Sequence, residues 1–128
     1  MRLLTRKVAF IILTTLILSM TSVPCFAAKS VDLKKNDYWR NSGEFRAKQT
    51  RFNGYTNKSN PRPVWFIAEY EDSSGFHYDK KHKVGAGANC PTSDSYTMKY
   101  NVTWRLQLNP YGSGTRGCVA SGSIWKRK

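Results

Sequence analysis

The sequence predicts an all-β protein, a small antiparallel sandwich or barrel of five to seven strands, preceded by a cleaved signal helix. Three observations predict this class. One segment near the C-terminus alternates apolar and polar residues, turn-forming residues separate several short β-prone runs, and no ten-residue window after residue 28 has helical periodicity. Short strands joined by such turns are typical of antiparallel sandwiches and barrels.

The alternating segment spans residues 96–108, where aromatic or aliphatic residues occupy every second position. Successive side chains of a strand point to opposite faces, so this pattern predicts one long strand with an apolar face on the core. Trp104 is predicted to point inward. Lys99 and Arg105 lie on the predicted polar face and are candidate ligand contacts.

Several other runs are β-branched, aromatic or bounded by turn residues. They predict further strands at 37–52 (two short strands around a turn at 41–43), 64–71, the start of 76–83, and 118–125. Trp65 lies in the most apolar of these runs and is predicted to be in the core. Loops are predicted where Gly, Pro or small polar residues dominate, at 29–36, 53–63, 84–94 and 109–117.

Residues 1–27 have the three parts of a secretory signal peptide. A basic start is followed by an uncharged, mostly apolar stretch at 8–20 and by Cys25 and Ala27 as the small residues before the cut. Cleavage after Ala27 leaves residues 28–128 as one secreted domain without a transmembrane anchor.

Two other interpretations of this segment are weaker. An uncleaved anchor needs about 20 apolar residues, whereas the second half of this stretch is polar and contains Pro24. A lipoprotein beginning at Cys25 would need a small residue in place of Pro24, and usually Leu in place of Ser22.

The domain is strongly basic. Removal of Arg2, Arg6 and Lys7 reduces the formal net charge of +13 to about +10. Such a charge favours an anionic partner, which we expect to be a cell-envelope polymer or a lipid surface. An extracellular protein is an alternative, and nucleic acid is a further but less favoured one.

The mature chain keeps two cysteines, Cys90 and Cys118, which predict a disulfide in an exported domain. Neither has another Cys or His at a metal-ligand spacing, so no metal site or cofactor is predicted.

Two aromatic residues adjoin cations in the sequence: Trp39 precedes Arg40, and Trp125 precedes Lys126 and Arg127. Such pairs can stack on bases or sugars, or lie at a lipid headgroup layer while the cations meet phosphates. They are the main candidate binding residues. The alternative is that both indoles close the ends of a small core.

His77 and His82 are the only histidines and lie close to several acids. A His beside a carboxylate can act in acid–base catalysis, as a small nuclease requires. Their charged, exposed surroundings argue against that role, and we predict no catalytic residues.

The leading hypothesis is a secreted, non-enzymatic cationic binding protein that acts on an anionic extracellular target, with an antimicrobial or bacteriocin-like role in a bacterial source. One alternative is an inhibitor of a secreted enzyme that inserts loop 109–117, braced by Cys118. The other is a small secreted nuclease that uses His77 or His82.

Overall fold

A computed structural model describes residues 28–112 and 114–127. The predicted signal peptide lies outside these residues and stays a prediction. The described part is all-β and contains no helix. Its strands are β1 (Lys29–Leu33), β2 (Arg40–Asn41), β3 (Phe45–Ala47), β4 (Thr50–Thr56), β5 (Val64–Asp72), β6 (Gly75–Val84), β7 (Asn89–Asp94), β8 (Val102–Pro110) and β9 (Ala120–Lys126).

The strands form two antiparallel sheets. The first sheet has the order β1-β9-β4-β7, and the second has the order β2-β8-β5-β6, with β3 also paired to β8. Side chains from both sheets share one hydrophobic core. The predicted all-β antiparallel class is confirmed. The described strands number nine rather than five to seven, and they do not close into a barrel.

Strand β8 lies at the centre of the second sheet and supplies much of the core. Trp104, Leu106 and Leu108 are fully buried, and the residues between them are partly exposed. The indole Nε1 of Trp104 donates a 2.8 Å hydrogen bond to the carbonyl oxygen of Ala47 in β3. The predicted inward position of Trp104 is therefore confirmed.

The alternating segment is only partly a strand, because β8 begins at Val102 and continues to Pro110. The preceding residues carry the chain from β7 in the first sheet to β8 in the second. Their amides bond outside any strand ladder: Ser95 donates to the carbonyl of Thr50 (2.9 Å) and Met98 to that of Lys48 (2.8 Å). The alternating residues before Val102 therefore form a connection between the two sheets rather than the start of strand β8.

Three predicted loops contain strands. Residues 29–33 pair with β9 as β1, residues 89–94 pair with β4 as β7, and β4 itself extends through Asn53 and Gly54 to Thr56. Gly54 is required there, because an added Cβ would overlap the carbonyl oxygen of Ser121 and the ring of Phe66. These strands depend on partners distant in sequence, which local composition does not reveal.

The predicted disulfide is absent, since Cys90 and Cys118 are both free and buried. Cys90 belongs to β7, whereas Cys118 precedes β9, and these strands lie on opposite sides of β4. The two strand spacings between β7 and β9 correspond to about 10 Å, whereas the Cα atoms of a disulfide lie within roughly 7 Å of each other. Burial raises the pKa of the Cys90 thiol to about 11 and also raises the pKa of Cys118.

Candidate cation–aromatic surface

The outward side of the second sheet brings cations and aromatic rings together. Trp65 in β5 lies opposite Lys83 in β6 on one side and Asn109 in β8 on the other. Residues opposite each other in a sheet share a face, so these side chains all point away from the core. The prediction that Trp65 is a core residue is therefore wrong: its indole is half-buried on the outer face.

Cations lie over several of these rings. The Lys81 Nζ is 4.9 Å from the ring centre of Tyr78 and 5.8 Å from that of Trp65. The Lys83 Nζ is 4.2 Å from the ring centre of Tyr111, whose ring also packs on Trp65 at 5.6 Å. Each such contact stabilises by about 0.5–1 kcal/mol at an exposed site and holds the ammonium groups near the surface.

A third cation, Arg105, lies on the same side of the sheet, with its Cζ 3.6 Å from the ring centre of Phe76. We call the whole set the cation–aromatic face. It consists of Trp65, Phe76, Tyr78, Lys81, Lys83, Arg105 and Tyr111.

A groove of about 450 Å³ adjoins this face. This volume is within the range of small-ligand pockets, about 300–1,000 Å³. We call it the Trp39 groove; its walls are Tyr38, Trp39, Trp65, Lys81, Asn109, Pro110, Gly112 and Gly114. Because Trp65 and Lys81 belong to both, the groove and the face form one continuous surface.

The groove includes one residue of the predicted pair Trp39 and Arg40. Trp39 is 55% exposed, so it does not close the end of the core. Arg40 instead pairs with Asp37, through Nη2–Oδ1 at 3.0 Å and Nε–Oδ2 at 3.3 Å. That hydrogen bonding lowers the pKa of the Asp37 carboxyl.

The two cations predicted on the polar face of the alternating segment, Lys99 and Arg105, lie in different surroundings. Arg105 donates through Nε to Glu69 Oε1 at 2.9 Å, so its charge is already paired within the sheet. Lys99 lies before β8 begins, and its Nζ is 5.5 Å from the ring centre of Tyr100. These two cations do not form one surface.

The C-terminal pair lies on the other sheet. Trp125 in β9 is opposite Arg51 in β4, on the outward side of the first sheet, and Lys126 is opposite Thr50. Arg127 donates through Nη1 to Gln49 Oε1 at 2.8 Å and pairs with Asp94 Oδ2 at 3.3 Å. The structure therefore separates the two aromatic–cation pairs and places only Trp39 beside the cation–aromatic face.

His77 stabilises the turn between β5 and β6. Its Nε2 is 2.8 Å from both Asp72 Oδ1 and Ser74 Oγ. The Ser74 hydrogen bonds lower the pKa of Asp72. In a Ser-His-Asp triad the two ring nitrogens face different partners, whereas one nitrogen faces both partners here. The arrangement is that of a turn rather than a triad.

His82 lines a different cavity of about 170 Å³, together with Asp79 and Asp94. Its ring packs edge-on against Phe52 at 5.0 Å. Burial lowers the pKa of His82, and the Lys80 ammonium lowers it further.

The two histidines do not act as a pair. They lie opposite Tyr70 and Phe66 in β5. These two partners are four positions apart, which corresponds to about 13 Å along the strand. Within residues 28–112 and 114–127, no group of three or more His, Cys, Asp or Glu side chains is placed to hold a metal ion. In the same residues, no helix is long and apolar enough to cross a membrane.

Sequence reasoning missed Lys81, Lys83, Tyr78 and Tyr111. Only the start of residues 76–83 is predicted as a strand, although Lys81 and Lys83 are separated by a single residue, as cations on one face of a strand would be. That spacing was the feature of the sequence that could have predicted two lysines on one face of a strand. Comparisons with protein-family models, with curated proteins and with solved structures found no match for this chain.

Proposed function

We propose that the protein is a secreted, non-enzymatic binding protein that attaches to an anionic extracellular polymer through its cation–aromatic face. The observation that supports this most is the pair of exposed ammonium groups, Lys81 and Lys83, each held over an aromatic ring on one side of the second sheet. The predicted signal peptide supports the extracellular location.

The face suits a polyanion because its cations are spaced along a straight element. Lys81 and Lys83 are two positions apart on β6, which corresponds to about 7 Å. Two acids of β5 lie opposite residues of the face, Glu69 opposite Tyr78 and Glu71 opposite Phe76. The pairing of Glu69 with Arg105 offsets the charge of the first. Fixed cations on a protein of about +10 attract polyanions and speed their association.

The polymer that we propose is part of a cell envelope. An antimicrobial or bacteriocin-like protein must bind to the surface of another cell. Anionic envelope polymers are exposed there and would be its target. Such binding requires no catalytic residues. The hydrogen bonds of His77 to Asp72 and Ser74 are those of a turn rather than of a catalytic triad, which agrees with a binding role.

The test uses polyphosphate, a polyanion without rings, in salt titrations. Affinity should fall at least about tenfold between low and moderate salt, because binding releases counterions. The double variant Lys81→Gln/Lys83→Gln should bind more weakly than the wild type.

The matched control is Lys48→Gln/Lys58→Gln, which removes the same charge at two exposed lysines outside the face. Equal losses in the two double variants would show that net charge, rather than this face, binds the polymer. Absence of binding at low salt, both to polyphosphate and to an anionic polysaccharide, would exclude the proposed function.

A further inference from the structure

We infer that the ligand is an anionic polysaccharide, one sugar ring of which stacks on Trp39 inside the Trp39 groove. This inference rests on the proposed function, because it names the chemical class of the polymer. It also gives the Trp39 groove a role in binding. Attraction between charges alone would not require the groove.

The first argument is that Trp39 presents an open ring. Its indole is 55% exposed, and among the described residues no aromatic ring or cation packs on it. The other indole of the groove, Trp65, is covered by contacts with Tyr111 and Lys81. An exposed indole beside a concave surface is suited to stack against a flat ligand ring.

The second argument is the polar groups around that ring. Asn109 uses one amide N–H to donate to Gln107 Oε1 at 3.3 Å, which leaves its carbonyl oxygen and a second N–H for a ligand. The Lys81 ammonium lines the same groove. Sugar hydroxyls both donate and accept hydrogen bonds, so they match the amide, while a carboxylate matches the ammonium.

The third argument concerns charge density. A single-stranded nucleic acid has one phosphate per nucleotide and is bound in grooves whose cations follow the backbone. Among the described residues that line the Trp39 groove, Lys81 is the only cation, and the others are aromatic, amide, proline or glycine residues. The Arg116 guanidinium lies beside the groove wall, with its Cζ 5.6 Å from the ring centre of Tyr38. This ratio of rings and amides to cations fits a chain of hydroxylated rings better than it fits a chain of phosphates.

The geometry also accounts for a polymer rather than a single sugar. Trp65 and Lys81 are shared by the groove and the cation–aromatic face, and Lys83 with Tyr111 continues that face. A chain with one ring on Trp39 would pass over Lys81 towards Lys83. Its remaining acidic groups would then meet the two ammonium groups that the proposed function requires.

Four polymers separate the contribution of ring stacking to binding from the contribution of charge. Polygalacturonate has rings and carboxylates, its methyl ester keeps the rings without the charge, polyphosphate keeps the charge without the rings, and poly(U) RNA carries stackable bases. Each is titrated against the wild type and against Trp39→Ala, with tryptophan fluorescence and calorimetry as readouts. Tyr55→Ala is the control, because Tyr55 is equally exposed (57%) but lies on the first sheet.

We expect polygalacturonate to bind at least about tenfold more tightly than its methyl ester. Trp39→Ala should weaken polygalacturonate binding about tenfold, as expected for the loss of one stacking contact, and should change polyphosphate binding less than about twofold. Trp39→Phe should restore most of the affinity, and Tyr55→Ala should have no effect. Because Trp39 is exposed, its variants should keep the wild-type unfolding midpoint.

Three other outcomes would overturn the inference in distinguishable ways. If polyphosphate binds as tightly as polygalacturonate and Trp39→Ala affects neither, the stacking assignment fails while the proposed function stands. If poly(U) binds more tightly than polygalacturonate and depends on Trp39, the ligand is a nucleic acid. If none of the polyanions binds, both the inference and the proposed function fail.

Discussion

Arg105 of β8 and Glu69 of β5 lie directly opposite each other in the second sheet and form a 2.9 Å ion pair. Both side chains are largely shielded from water, with 22% and 11% of their surfaces exposed. The pair therefore belongs to the structure of the sheet, and the same guanidinium lies over Phe76 in the cation–aromatic face. A ligand contact by Arg105 stays a prediction.

Removing one member of this pair should destabilise the fold. Arg105→Gln leaves the Glu69 carboxylate shielded without its partner, and we expect a loss of about 2 kcal/mol in the free energy of unfolding. The measurement is urea denaturation. In the double variant with Glu69→Gln, part of the loss should be recovered.

The control for this prediction is Arg40→Gln, which breaks the more exposed pair with Asp37. That change should leave the free energy of unfolding close to the wild-type value, because an exposed ion pair contributes little to stability. A double variant that loses the full sum of the two single changes would contradict coupling between Arg105 and Glu69.

Gly54 allows β4 to pass close to β9 and to the core. Gly54→Ala should destabilise the protein by about 3 kcal/mol, because the new Cβ would overlap the Ser121 carbonyl and the Phe66 ring and lie 2.9 Å from the Gly122 Cα. Thermal and urea unfolding measure this. Gly85→Ala is the control, since no atom lies within 4 Å of its added Cβ, and that variant should be near-neutral. Equal stability of the two variants would disprove the close approach.

The half-buried His82 should make stability depend on pH. Its pKa is lower in the folded protein than the ordinary value of 6.5, so below that pH the unfolded chain binds a proton that the folded protein does not. The stabilising contribution is complete above pH 6.5 and is lost as the pH falls through the lowered pKa.

Unfolding free energies at about pH 7.5 and about pH 5, measured for the wild type and His82→Gln, test this. The variant should lose less stability over this range. The carboxyls of Asp37 and Asp72 titrate below their ordinary pKa of 3.8, so their effect comes at lower pH. An identical slope for both proteins would show that His82 has no such role.

The two buried thiols should be inert in the folded protein. With pKa values raised by burial, to about 11 for Cys90, little thiolate forms near neutral pH to react with iodoacetamide. Peptide mapping should find Cys90 and Cys118 unmodified before denaturation and alkylated afterwards, without any reductant. Recovery of a Cys90–Cys118 linked peptide would instead support the disulfide that the sequence predicted.

Export of the full chain should remove residues 1–27. N-terminal sequencing of the protein from the medium of a bacterial secretion host should begin at Ala28, as the small residues Cys25 and Ala27 before the cut predict. A product that begins at Cys25 would indicate a lipoprotein, and an intact Met1 in the membrane fraction would indicate an anchor.

Local patterns in the sequence were sufficient for the fold class and for its most regular strands. The alternation around Trp104 predicted its burial, and the β-branched run at 64–71 predicted most of β5, because one face of a strand must be apolar when it packs on a core.

The tertiary structure alone decided the strand pairing and, with it, the candidate site. β1 and β7 are strands because β9 and β4 supply their hydrogen-bond partners. Cys90 and Cys118 are free, and β4 separates β7, which contains Cys90, from β9, which Cys118 precedes. Lys81, Trp65 and Trp39 come from separate segments and meet only after the second sheet has formed. Local sequence determines which face of a strand is apolar, but the choice of neighbouring strand depends on contacts between distant residues.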